Sequence, residues 1–165
     1  TLAELFSTFG DRLTYHVELK DRTVGIGTAT ADIIRKYGRQ ANVLVSGFDC
    51  ESELLAAKAG APGVRSTVLV SPKLDAGVAI SKAHRDGHDG VSLHVGVINA
   101  EWVASAHNAG LEVRGWGIRT PQDMIKGATT GCNGMTINWP DWLQQWVDET
   151  VGGYNSVGCQ SLLNL

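Results

Sequence analysis

Glu18 and Lys20 stand two residues apart in the run Leu13 to Lys20, where Tyr15, Val17 and Leu19 alternate with Thr14, His16, Glu18 and Lys20. A period of two puts the apolar set on one face of a strand and the polar, charged set on the other. In a parallel sheet covered by helices the apolar face meets the helices. Glu18 and Lys20 are therefore expected to face inward at the C-terminal strand edge, where such folds build their sites. A carboxylate and an ammonium converging there suit a hard cation and a phosphate oxygen. The same spacing also suits an internal ion pair or two solvated residues at a strand end, and the two-residue pattern does not choose between these readings.

The remaining polar and aromatic candidates are read in the same way. His94 closes the run Val91 to Val95 and is expected at the same edge, in contact with a substrate or in a structural hydrogen bond. His16 lies one inward step deeper than Glu18 and reads as core filling. His84 and His88 fall in HRDGHDG, which resembles a metal-ligand run but reads as a solvated turn after a helix, and His107 belongs to a helix face. No two of these histidines are spaced as a general acid and base. Trp139, Trp142 and Trp146 recur at helical spacing and read as a helix packed on the fold, as does Trp102, whereas Trp116 ends a strand and is better placed for a pocket. Gly25 and Gly27 ahead of Thr28 suggest a phosphate loop at a helix N-terminus. Position 30 is threonine where a dinucleotide fingerprint has its third glycine, so a flexible loop is the stronger reading.

The elements that must position these residues alternate along the whole chain. Leu13 to Lys20, Asn42 to Ser46, Thr67 to Val70, Val91 to Val95, Glu112 to Ile118 and Met135 to Asn138 read as strands, each followed by a helical pattern. Helix stops are expected at Gly38 and Gly110, and Thr120 followed by Pro121 reads as a cap with a first-turn proline. Alternation of this kind argues for an α/β fold with a parallel sheet. An eight-stranded barrel takes about 250 residues, so this chain of 165 residues accommodates six βα units and a leading helix. The chain opens at Thr1 within a helical pattern made by Leu2, Leu5, Phe6 and Phe9, and further sequence is expected upstream. We expect one domain over 1–150 and a loose tail over 151–165, where Gly152, Gly153 and Gly158 gather.

Composition narrows the function classes. A formal net charge of −3, with fourteen scattered Lys and Arg, gives no basic stripe for nucleic acid. No apolar run approaches the roughly 20 residues of a membrane span, and no signal peptide opens the chain, so a cytoplasmic protein is expected. Cys50, Cys132 and Cys159 have neither disulfide nor zinc spacing and read as small apolar residues.

Four segments in order carry a family resemblance. TLAEL (Thr1 to Leu5) followed by YHVELK (Tyr15 to Lys20) resembles the helix and Glu-x-Lys strand of the glycerophosphodiester phosphodiesterases. SGFD (Ser46 to Asp49) resembles their Ser-Phe-Asp turn, AHNAGLEVRGW (Ala106 to Trp116) the stretch leading to their active-site tryptophan, and GCNGMTINWPD (Gly131 to Asp141) their closing segment. The resemblance implies an incomplete TIM-type (β/α) barrel of about six βα units. It implies metal-dependent hydrolysis of small-molecule glycerophosphodiesters to sn-glycerol 3-phosphate and an alcohol, with Mg²⁺ or Ca²⁺ as cofactor. By the same resemblance Glu18 is a metal ligand, Lys20 stabilises charge on the phosphate, and Trp116 lines the pocket near the glycerol; Ser46, Phe48 and, from its strand-end position, His94 are expected to contact substrate.

The chain departs from the family pattern at several points. The family's His-Arg-Gly segment, the Glu and Asp that complete its metal site and its second catalytic histidine have no counterpart here and are expected upstream of Thr1. One carboxylate does not hold Mg²⁺ or Ca²⁺, so this chain alone is expected to be inactive or nearly so, a non-catalytic ligand-binding or interaction module being the alternative. Gly117 stands where threonine usually follows the tryptophan, and Asn133 where aspartate is usual. Six strands without closure leave two sheet edges, and self-association through them is expected.

Overall fold

The computed structural model of the chain describes residues 1–151. Six strands pair in parallel and in chain order: β1 (Tyr15–Glu18), β2 (Val43–Gly47), β3 (Arg65–Val70), β4 (Gly90–His94), β5 (Glu112–Trp116) and β6 (Gly134–Met135). Helix α1 (Leu2–Phe9) precedes β1. Helices α2 (Ile26–Lys36), α3 (Glu51–Gly60), α4 (Ala76–Asp86), α5 (Ala100–Asn108), α6 (Pro121–Thr129) and α7 (Pro140–Val151) each follow one strand. The sheet curls into half of a (β/α) barrel, as the alternation predicts. No described helix is long and apolar enough to cross a membrane.

The core lies between the convex face of the sheet and the helices. Val43, Val45, Val68, Val70, Val91, Leu93 and Val113 point outward from the strands against Ile34, Leu54, Ile80 and Val103 of the helices, and all are buried. Their β-branched shapes suit a sheet covered on that side. Phe6 of α1 closes one end by packing edge-on to Tyr15 at 4.8 Å between ring centres.

The expected helix signals act where the sequence places them. The Thr120 side chain accepts from the Asp123 backbone N–H, the Asp123 carboxylate accepts from the Thr120 N–H, and Pro121 occupies the first helical position. Gly38 and Gly110 take φ of +64° and +76° just beyond α2 and α5. Three strands are shorter than their apolar patterns. The turn at Gly117 (φ +77°) takes the chain out of β5 after Trp116, and β6 pairs over only two residues with its one described neighbour, β5. The tail expected over 151–165 lies outside the described residues except for Val151, which ends α7.

Candidate active site

Strand alternation turns His16 and Glu18 of β1, Leu44 and Ser46 of β2, Leu69 of β3, Ser92 of β4 and Arg114 and Trp116 of β5 toward the concave side. Together they line a trough of about 550 Å³. Its rim is completed by Phe48 and Arg119 from strand-end loops and by Asn138 and Trp139 before α7. The trough opens at the C-terminal strand ends, the edge where barrels carry their chemistry.

Glu18 faces this space and Lys20 stands at its edge. The Lys20 Nζ lies 3.1 Å from Glu18 Oε2, with side-chain exposures of 79% and 34%. An ion pair this open adds little stability, because water screens it and both side chains give up rotamer freedom. The pair is therefore free to exchange partners with a ligand. Trp116 stands between two rings, edge-on to Phe48 at 5.1 Å and to His94 at 4.6 Å, and its indole N–H donates to the Val70 carbonyl at 3.3 Å. Ser46 and Phe48 line the same space, so five of the six predicted residues gather at one edge. His94 is set behind Trp116 rather than in the trough lining. Its Nδ1 accepts from the Gly96 N–H at 2.9 Å, which is the structural alternative foreseen for it.

Several expectations are corrected. His16 is not core filling, because the six strands do not close over the inward layer and its ring stays open to the trough. Partial desolvation at the trough floor, helped by the Arg114 and Arg65 guanidinium groups, lowers its pKa to about 4, so it is neutral at pH 7. His88 is not in a solvated turn. It is 5% exposed, and its Nδ1 lies 3.0 Å from the Ser66 hydroxyl beneath α4. Trp139 does more than pack a helix, since it stacks on Trp142 at 4.6 Å and its other surroundings include the trough.

The loop at Gly25 and Gly27 carries no open anion site. The Glu53 carboxylate of α3 already accepts from the N–H groups of Gly25 at 3.1 Å and Gly27 at 2.8 Å, and a second anion there would meet its charge. Asn133 performs a structural task, its side-chain oxygen accepting from the Val113 N–H at 2.7 Å and lying 2.9 Å from His107 Nε2. Cys50 is buried, which raises its thiol pKa, in keeping with an apolar role.

Sequence reasoning passed over Arg114, Ser92 and Arg119, and it assigned Trp139 to helix packing alone. Arg114 had a readable signal, since it shares the inward face of β5 with Trp116 two residues on. Trp139 had none, because its place in the lining depends on how α7 docks.

Among the described residues no three His, Cys, Asp or Glu side chains converge to hold a metal ion. Ca²⁺ takes six to eight oxygen ligands, and Mg²⁺ takes six, mostly waters and phosphate oxygens with one or two carboxylates. Glu18, already beside Lys20, does not by itself fit such an ion.

No protein-family model matches the chain, and no curated protein matches its sequence. Solved structures do. One from Galdieria sulphuraria, assigned as a glycerophosphodiester phosphodiesterase, superposes with a TM-score of 0.77 at 24% identity, over 89% of this chain and 63% of its own. One from Silicibacter pomeroyi, with the same assignment, gives 0.76 at 23% identity, over 91% and 55%. The chain has their fold. A phosphodiesterase from Oleispira antarctica, solved with the product sn-glycerol-3-phosphate, gives 0.71 at 20% identity, over 88% and 59%. This chain thus spans between 55% and 63% of the length of these three structures.

Proposed function

We propose that this chain supplies part of the active site of a glycerophosphodiester phosphodiesterase, which hydrolyses its substrate to sn-glycerol 3-phosphate and an alcohol. The observation that carries the reading is the meeting of Glu18, Lys20 and Trp116 at the C-terminal edge of a half-barrel with that fold. Lys20 would turn from Glu18 toward the phosphoryl oxygens, where a fixed positive charge favours the transition state. Trp116 and Phe48 offer an apolar wall to the glycerol carbons, and the Ser46 hydroxyl faces the same space. Glu18 is proposed as one ligand of the divalent cation that the family resemblance implies. The described residues do not by themselves complete a site for Mg²⁺ or Ca²⁺.

A second reading rests on the same lone carboxylate. With no acid and base pair among the described residues, the chain on its own would bind a glycerophosphodiester or its product without turning it over. One experiment separates the two. Release of sn-glycerol 3-phosphate from glycerophosphodiesters is measured for the protein and its Glu18→Gln variant, with product binding followed by tryptophan fluorescence. Hydrolysis that disappears in Glu18→Gln supports the enzyme, and product binding without hydrolysis supports the binding module. Hydrolysis unchanged in Glu18→Gln removes that residue from the site.

A further inference from the structure

Arg114 lies deeper in the trough than the Glu18–Lys20 pair, and it has no counter-ion among the described residues. Its Nη2 has a single protein acceptor, the Met135 carbonyl at 3.5 Å, and its buried Nε has none. The neighbouring guanidinium, Arg65, shows what a satisfied arginine on this sheet looks like, with Nη1 2.8 Å from Glu112 Oε1. Charges taken out of water are normally paired, because an unpaired one forfeits hydration without return. Desolvation lowers the pKa of Arg114 from its ordinary value, although the group stays cationic.

The surroundings hold the guanidinium in place rather than neutralise it. Arg114 is in register with Gly134 of β6, and a Cβ at position 134 would stand 2.7 Å from both Nη1 and Nη2. The missing side chain leaves a flat seat for the guanidinium. On the other side Arg114 is in register with Ser92 of β4, which lines the trough with a hydroxyl that makes no hydrogen bond among the described residues. His16, Thr67 and Arg114 come from alternate strands, as the members of one barrel layer do. The buried Thr67 hydroxyl likewise has no partner among the described residues. Among the described residues the one carboxylate lining the trough is Glu18, which Lys20 offsets, while Arg114 and Arg119 both line it without a carboxylate partner. A chain of net charge −3 therefore encloses a positive concavity.

We propose that the trough floor is a phosphoryl subsite, with Arg114 as its cation and the Ser92 hydroxyl as a neutral donor beside it. A guanidinium presents paired N–H groups that match two phosphate oxygens, and a seat with no competing carboxylate keeps them available. This subsite stands on Arg114 and Ser92 and does not require the hydrolytic reading of Glu18. The phosphoryl group would come from free phosphate or from a phosphorylated ligand entering at the rim.

The test is a titration with inorganic phosphate at constant ionic strength, with chloride as the balancing anion, followed by calorimetry. Wild type is expected to bind phosphate and Arg114→Gln to bind it at least tenfold more weakly. A parallel titration with sn-glycerol 3-phosphate distinguishes the sources. Tighter binding than inorganic phosphate assigns the subsite to a ligand's phosphoryl group, and equal binding assigns it to the free ion. No phosphate binding by wild type, or equal binding by Arg114→Gln, overturns the proposal. Should Arg114→Gln fail to fold, phenylglyoxal labelling of wild type gives the same answer. Phosphate is expected to slow modification at Arg114 as mapped by mass spectrometry, and an unchanged rate there would refute the subsite.

Discussion

Gly117 leaves out a side chain where His94 packs. A Cβ at position 117 would stand 2.5 Å from Nε2 and Cδ2 of the imidazole, and the backbone there has φ +77°. Both facts explain why glycine occupies the place that threonine takes in the family this chain resembles. Two costs then add in Gly117→Ala, about 1–2 kcal/mol for a side chain in the left-handed region and a further amount for displacing the ring that supports Trp116. The expected loss in urea unfolding is at least about 2 kcal/mol. In the double variant with His94→Ala the collision is gone and the coupling between the two changes should be favourable. Strictly additive losses would show that His94 and Gly117 do not constrain one another.

The Glu53 carboxylate replaces the side-chain cap that α2 lacks. With Gly25 at its N-cap, α2 has no local acceptor, and Glu53 reaches across from α3 to the N–H groups of Gly25 and Gly27. The helices approach so closely there that a Cβ on Gly27 would come within 2.0 Å of the Glu53 carbonyl oxygen. Glu53→Ala is expected to cost about 1.5–3 kcal/mol, the range for a hydrogen bond to a charged group. Hydrogen exchange should show the first turn of α2 losing protection while the last turn keeps it. Equal loss along the whole helix would mean that Glu53 acts through general packing instead.

These two loops show where sequence reading succeeds and where it stops. Period-two alternation reveals that Glu18 faces inward, and the Thr120–Pro121 cap and Gly110 mark helix ends, because these signals depend on neighbouring residues in the chain. His88 looks solvated in HRDGHDG because five of those seven residues are polar. Its burial comes from Ser66, 22 positions away on β3, with Asp89 accepting from the Ser66 N–H at 2.8 Å. The Glu53 cap and the seat of Arg114 on Gly134 are likewise contacts between elements, and no local period encodes them.

Stability should fall on mild acidification because of His16 and His88. Desolvation lowers the pKa of both, partial and helped by two guanidinium groups at His16, which falls to about 4, and from burial at His88, against an unfolded value near 6.5. Between these values the unfolded chain takes up protons that the folded chain refuses, so stability rises with pH in that window and is lost as pH falls through it. Glu51 and Asp123 have lowered pKa values and act in the same direction, but only once the pH nears the ordinary carboxylate range. Urea midpoints are therefore expected to decline between pH 6.5 and about 4.5, and the decline should flatten in His16→Asn/His88→Asn. An unchanged slope in that variant would assign the acid sensitivity elsewhere.

Among the described residues β1 pairs only with β2, and β6 only with β5. The Leu19 N–H donates to the Ser46 carbonyl at 2.7 Å, on the β2 side. Backbone donors alternate sides along a parallel strand, so the N–H groups of His16 and Glu18 face away from β2. A row of such groups is a template for another strand, and Leu5 and Leu13, 48% and 45% exposed, lie close by in the chain. The chain at micromolar concentration is expected to self-associate through this edge, with a mass by light scattering that rises with concentration. His16→Pro removes a donor on the free side without breaking the β1–β2 ladder, and it should shift the distribution toward monomer while the circular dichroism spectrum is retained. A wild-type chain that stays monomeric across the concentration range would show that these edges do not drive association.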